Sequence, residues 1–216
     1  MLTQGFQTPR LRGFTLVELM IVIAVLGILM MIGLPNMSLM IKNGQVRTAA
    51  ESAAAGLQTA RNEAIRRNAT VRFQLTSDLT SGCTLSSSGT SWVVSLATPA
   101  GACNTTPIDP SDTAPANPAI IQTRSGAEGT TKATVSGVDG TATPAAASTV
   151  TFNGVGRLSG GTANLSTLNF AHVTDACQHA ATPGPIRCLR IMVSAGGTIK
   201  MCDPAVASTD SRFCGL

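Results

Sequence analysis

Two kinds of residue in this chain could do chemistry by type and spacing: six cysteines, and a single carboxylate set in an apolar run. The cysteines are Cys83, Cys103, Cys177, Cys188, Cys202 and Cys214. An even count suits three bridges in an oxidising compartment. Neighbours in sequence are the favoured pairs, Cys83–Cys103, Cys177–Cys188 and Cys202–Cys214, because each closes a weakly held loop containing Gly, Pro or Ser. The competing chemistry is a metal site. Cys177, His179 and Cys188 could supply ligands, but no Cys-x-x-Cys spacing accompanies them, so no metal is expected. His172 and His179 read as surface or loop histidines with no carboxylate or nucleophile at a meaningful spacing. No Gly-x-Ser-x-Gly elbow, P-loop or His-Glu-x-x-His occurs, so neither an enzyme nor a cofactor is expected.

The carboxylate is Glu18. It lies within residues 14–34, FTLVELMIVIAVLGILMMIGL. At about 1.5 Å per residue this run reaches roughly 31 Å, one bilayer core. A carboxylate inside a span costs about 2.5–3.5 kcal/mol on insertion scales, so Glu18 is expected to have a partner. Arg10 and Arg12 precede the run and place residues 1–13 in the cytoplasm. The rest of the chain is then periplasmic, in agreement with the cysteines. A cleaved secretory signal is the competing reading. It needs a small-residue site after the apolar run, and Gly33-Leu34-Pro35-Asn36 is a poor one.

Gly13-Phe14-Thr15-Leu16-Val17-Glu18 followed by the apolar run resembles the N-terminal signal of type IV prepilins and type II secretion pseudopilins. The resemblance implies cleavage after Gly13 by a prepilin peptidase, and N-methylation of the new terminus, Phe14, by the same peptidase/methyltransferase. It implies that Glu18 pairs with the amino terminus of a neighbouring subunit during assembly. A buried ion pair offsets what either charge alone would cost. Pro35 matches the family's helix kink, as expected of a residue without an N–H.

Beyond Pro35 the pattern is helical. Val46, Ala50, Ala53, Leu57, Ala60 and Ala64 recur at alternating spacings of four and three. This predicts a mostly alanine face packed closely on a sheet. Glu63 and Arg67 form an i,i+4 pair, and Arg66 and Arg67 suit the helix C-terminus. One helix from about Phe14 to Asn68 is expected, with residues 14–34 in the membrane and residues 35–68 outside it.

Residues 69–216 form the periplasmic domain. Val71, Phe73 and Leu75 alternate with polar residues as on a half-buried strand. Further strands are expected at Ser91–Ala97, Ala133–Val138, Thr149–Phe152 and Leu168–Val173. Ala97–Ala119 reads as a long loop. The clearest hairpin is terminal: Leu189, Ile191 and Val193, a turn at Ala195-Gly196-Gly197, then Ile199 and Met201. The expected class is α+β, a pilin fold with a long N-terminal helix packed on antiparallel sheet and stabilised by disulfides.

The tail Ile199–Pro204 with Ser211-Arg212-Phe213-Cys214 resembles the end of FimT/FimU-type minor pilins, which share the GspH/FimT domain with secretion pseudopilins. Three functions follow as expectations. The first is a minor pilin that helps to initiate a type IV pilus at its tip, with other minor and major pilins as partners. The second is a type II secretion pseudopilin. The third is a DNA-binding tip subunit for natural transformation, using Arg187, Arg190, Lys200 and Arg212. DNA binders of this kind carry Gly-Arg-x-Arg, where this chain has Gly197-Thr198-Ile199-Lys200. The net charge of +4, two units of which lie at Arg10 and Arg12, does not itself imply nucleic acid. The expected location is the inner membrane, in contact with its lipid, and a pilus or pseudopilus after assembly.

Overall fold

The structure is a computed structural model that describes residues 13–109, 111–112, 116–161, 164–178 and 184–214, with the side chains of residues 32–36 excepted. Helix α1 runs Leu16–Arg67. Eight strands follow: β1 Val71–Thr76, β2 Ser91–Ser95, β3 Ile120–Arg124, β4 Ala133–Asp139, β5 Thr149–Phe152, β6 Leu165–His172, β7 Leu189–Val193 and β8 Ile199–Cys202. The chain divides into two units, Met1–Ser38 and Leu39–Leu216.

Both ends of α1 are closed by recognisable chemistry. Thr15 accepts the Glu18 amide on its Oγ1 at 3.2 Å. Thr15 is thus the N-cap of α1, with Glu18 at the third helical position. At the far end Asn68 takes a positive φ of 47°. Its amide bonds the Ile65 carbonyl, and the Ala69 amide bonds the Ala64 carbonyl. That pairing satisfies the last carbonyls in a Schellman turn, a place where Asn tolerates the left-handed conformation.

In the second unit the predicted alanine stripe is the buried face of α1. Val46, Ala50, Leu57, Ala60 and Ala64 are fully buried and Ala53 nearly so. They share one core with Phe73, Trp92, Phe152, Phe170 and Ile191. The strands form two antiparallel sheets, ordered β3-β2-β1-β5 and β4-β6-β7-β8. Small side chains let the sheet come close. A Cβ on Gly56 would lie 2.9 Å from both the Phe73 and Trp92 rings.

Two expectations change. β1 is not half-buried, since Gln74 and Thr76 are buried along with Val71, Phe73 and Leu75. The reason is a second, smaller core on the far side, made of Val93, Ile120, Leu79 and the Cys83–Cys103 bridge. The disulfide-closed segment covers a face that would otherwise meet water. The expected Ala97–Ala119 loop is free of named strands, but it leads directly into β3, which pairs with β2 and was not anticipated. The observed β2 ends at Ser95 and β6 spans Leu165–His172.

Candidate functional site

The N-terminal segment is built of exposed apolar residues on every side. Phe14, Leu16, Val17, Leu19 to Ile23, Val25, Leu26 and Ile28 to Met31 are all more than half exposed, or within a point of it. A helix apolar all round needs an apolar medium or partner. Gly13 is open, with nothing within 4 Å of a Cβ built on it. Glu18 is exposed in the first turn of α1 and its amide is bonded by the Thr15 cap. Among the described residues no helix is long and apolar enough to cross a membrane. The predicted span ends within residues 32–36, so its last side chains and that of Pro35 lie outside the described residues.

The six cysteines are joined as Cys83–Cys103, Cys177–Cys188 and Cys202–Cys214, with Cα–Cα distances of 6.1, 5.4 and 5.1 Å. Cys177 and Cys188 therefore have no thiolate to offer a metal. His179 lies outside the described residues. His172 departs from its expected surface role. It is buried at the end of β6, and its Nδ1 lies 2.9 Å from Asp175 Oδ2. Asp175 also meets Lys42 of α1 at 3.0 Å. The Thr174 hydroxyl and then the Lys42 ammonium hold the Asp175 carboxyl below the usual carboxylate range. The partner that spacing did not reveal is only three residues along, brought round by the turn after β6.

The four candidate DNA contacts do not share one surface. Strand alternation separates them. Leu189, Ile191 and Val193 face α1, so Arg190 points to the other side of β7. Lys200, paired opposite Met192, lies on that same outer side. Arg190 Nε donates to Asn169 Oδ1 at 2.7 Å, and Lys200 Nζ to the Phe213 carbonyl at 2.9 Å. Arg187 and Arg212 instead border a groove of about 640 Å³ between α1 and the β7–β8 hairpin.

That groove is a concave feature formed within the second unit. Met40, Leu189 and Met201 give it apolar lining, with Asn43 and Gly44 on the α1 side and Cys202 at the β8 end. Arg47, Arg187 and Arg212 stand around it against one acid, Asp203. Arg187 Nε donates to Asp203 Oδ2 at 2.5 Å, and the Arg187 amide to Asn43 Oδ1 at 2.7 Å. Arg212 grips Asp210 with two guanidinium nitrogens, at 3.0 and 2.7 Å. That grip, with the Arg212 amide, lowers the Asp210 pKa to about 2. Asn43 and Arg47 escaped the sequence reading because they carry no motif and lie far along the chain from Arg187 and Asp203.

The family model of the type II transport protein GspH matches residues 49–204, most of the chain. The chain belongs to the GspH family. A second model, the prokaryotic N-terminal methylation motif, matches residues 9–34 and so covers Gly13, Phe14 and Glu18. This GspH-family chain thus has a type IV pilin-like N-terminus joined to an α+β domain with three disulfides. Among solved structures it is similar to the type IV minor pilin FimU of Pseudomonas aeruginosa. The two are 19% identical over 77% of this chain and 95% of that one, with a TM-score of 0.38. No curated protein matches the chain.

Proposed function

We propose that this protein is a minor pilin, held in the bacterial inner membrane by residues 14–34 with its second unit in the periplasm, which helps to initiate a type IV pilus and sits at its tip. One observation carries the reading. The methylation motif coincides with a helix whose apolar residues are exposed all round, and Glu18 is the acid within it. Such a helix can exchange bilayer for the packed helices of neighbouring pilins, and a carboxylate in that setting needs a cationic partner. A new Phe14 amine would be such a partner. Gly13–Phe14 is accordingly the bond for a prepilin peptidase and Phe14 the methylated residue. The three bridges suit an exposed, low-copy subunit. The reading is structural, not catalytic.

A type II secretion pseudopilin is the second reading, favoured by the GspH match itself. DNA binding draws less support, because Arg190 and Lys200 lie on the opposite side of β7–β8 from the groove that Arg187 and Arg212 border. Counting surface pili in a strain lacking the protein separates these. Loss of pili, restored by the intact gene but not by a Gly13→Asp form, supports pilus initiation. Normal pili together with a secretion defect would move the protein to the pseudopilus.

A further inference from the structure

The three bridges differ in how openly they meet solvent. Cys83, Cys103, Cys188, Cys202 and Cys214 are buried, each at 4% exposure or less. Cys177 alone of the six is half-buried, and its neighbours Ala176 and Gln178 are exposed. Thiol–disulfide exchange begins when a thiolate reaches one sulfur, so access decides which bridge opens and which of its sulfurs is attacked. The other two bridges also lie deeper in the fold. Cys83–Cys103 is part of the small core with Val93 and Ile120, and Cys202–Cys214 has both ends buried.

The two legs that Cys177–Cys188 joins are also held by other means. The Gln178 amide donates to the Ile186 carbonyl at 2.6 Å, the Ile186 amide to the Ala176 carbonyl at 3.3 Å and the Gly184 amide to the Cys177 carbonyl at 3.1 Å. Ile186 is fully buried in the main core. Asp175, just before the bridge, meets Lys42 of α1 at 3.0 Å, and the Arg187 amide, just inside it, meets Asn43 at 2.7 Å. Opening the S–S bond therefore leaves the legs in register. Their Cα atoms lie 5.4 Å apart, within the distance from which a bridge recloses. We propose that Cys177–Cys188 is a thiol–disulfide exchange site for low-molecular-weight thiols, attacked at Cys177. The thiolate bonds to Cys177 Sγ and the Sγ–Sγ bond breaks. Its electron pair goes to Cys188 Sγ, which takes up the proton that the attacking thiol gave up. A second thiol then attacks the added sulfur, so that Cys177 leaves as a thiol and the reagent as its own disulfide. The site responds to the thiol state of the compartment while α1 stays packed on the sheets, whichever filament the subunit enters.

The test uses the full oxidised chain in detergent micelles near neutral pH, treated with reduced glutathione. Samples are quenched in acid at intervals, alkylated and read by peptide mass spectrometry. Cys177 and Cys188 should become open about tenfold faster than the other four cysteines, because access sets the rate. The trapped mixed disulfide should carry glutathione on Cys177. Trp92 fluorescence, which reports the packing of α1 on β2, should not change while this bridge opens. Removing the thiol should restore the bridge. Opening of Cys83–Cys103 or Cys202–Cys214 first, or of all three together, overturns the proposal. So does glutathione found on Cys188, or a Cys177–Cys188 bridge that opens only as the Trp92 signal is lost, because exchange then needs the domain to unfold. A bridge that glutathione leaves closed throughout also overturns it. None of these outcomes bears on the pilin reading.

Discussion

Trp92 Nε1 donates to Ser52 Oγ at 3.1 Å, and this bond locks the indole of β2 onto α1. One turn along, Gly56 leaves the space that the Trp92 and Phe73 rings fill, and those rings lie 5.6 Å apart. A side chain at position 56 must displace two aromatic rings held in a close-packed core. Gly56→Val should destabilise the protein by about 1–3 kcal/mol through overpacking. Ser52→Ala should cost about 1 kcal/mol by orphaning the indole N–H. Trp92 is the sole tryptophan, so its fluorescence in a urea titration reads both effects directly. An unchanged midpoint for Gly56→Val would mean that helix and sheet are not so close.

The Cys202–Cys214 bridge closes a segment of 12 residues. Loop-closure entropy for that length gives a stabilisation of about 3 kcal/mol. The tail also returns along β8 through the Asp203 amide to the Arg212 carbonyl at 2.8 Å. Replacing both cysteines with serine should lower the urea midpoint and speed amide exchange at Asp203 and Phe213 before any other part of the sheet. Loss of the whole β4-β6-β7-β8 sheet at the same denaturant concentration would show instead that the tail unfolds only with the domain.

Asp210 provides a pH prediction with a definite sign. Its folded pKa, about 2, lies below its ordinary value because Arg212 hydrogen-bonds and attracts the ionised form. A depressed carboxyl stabilises the folded tail above the unfolded pKa of about 3.9 and loses that contribution as pH falls towards 2. Carbon-detected titration should therefore find Asp210 still ionised at pH 3, with tail exchange rising only below that. Arg212→Ser should move the titration up towards the ordinary range. Asp210 titrating normally in the intact protein would remove the grip as the cause.

Much of this architecture was legible because its signals are periodic and local. The stripe from Val46 to Ala64 follows the helical period, and every member is buried. Thr149–Phe152 and the Leu189–Met201 hairpin alternate with period two between turn residues, and both are strands. Other features depend on what arrives from elsewhere in the chain. Gln74 and Thr76 look like solvent-facing positions until the Cys83–Cys103 segment covers them. β3 is short and follows a turn-rich stretch, so only its pairing with β2 identifies it. The groove was invisible because Arg47, Asp203 and Arg212 meet only after α1, β8 and the tail have packed.

The Lys42–Asp175–His172 chain ties α1 to the turn after β6, and its surface half should be weak. Lys42 and Asp175 are partly exposed, so their coupling in a double-mutant cycle should not exceed about 1 kcal/mol. The buried half behaves differently. His172 is nearly inaccessible, and Asp175→Asn removes the carboxylate beside its Nδ1. Asp175→Asn should therefore cost more than Lys42→Met in the same urea titration. Equal costs would show that the helix contact, not the histidine, is what Asp175 serves.

Two roles are proposed for Glu18, a helix-start carboxylate and an assembly anion, and two substitutions separate them. Glu18 lies in the first turn of α1, where its carboxylate favours the positive end of the helix dipole and glutamine keeps a polar side chain of the same shape. In the proposed assembly role it is an anion for a neighbouring terminal amine, which glutamine cannot be. On the proposed reading cleavage at Gly13 precedes that pairing, so both Glu18→Gln and Glu18→Ala should be processed normally on immunoblots. Filament incorporation should then fail for both if charge is what matters. Incorporation of Glu18→Gln at the level of the native chain, with Glu18→Ala failing, would assign the residue to the helix start and refute the ion-pair account.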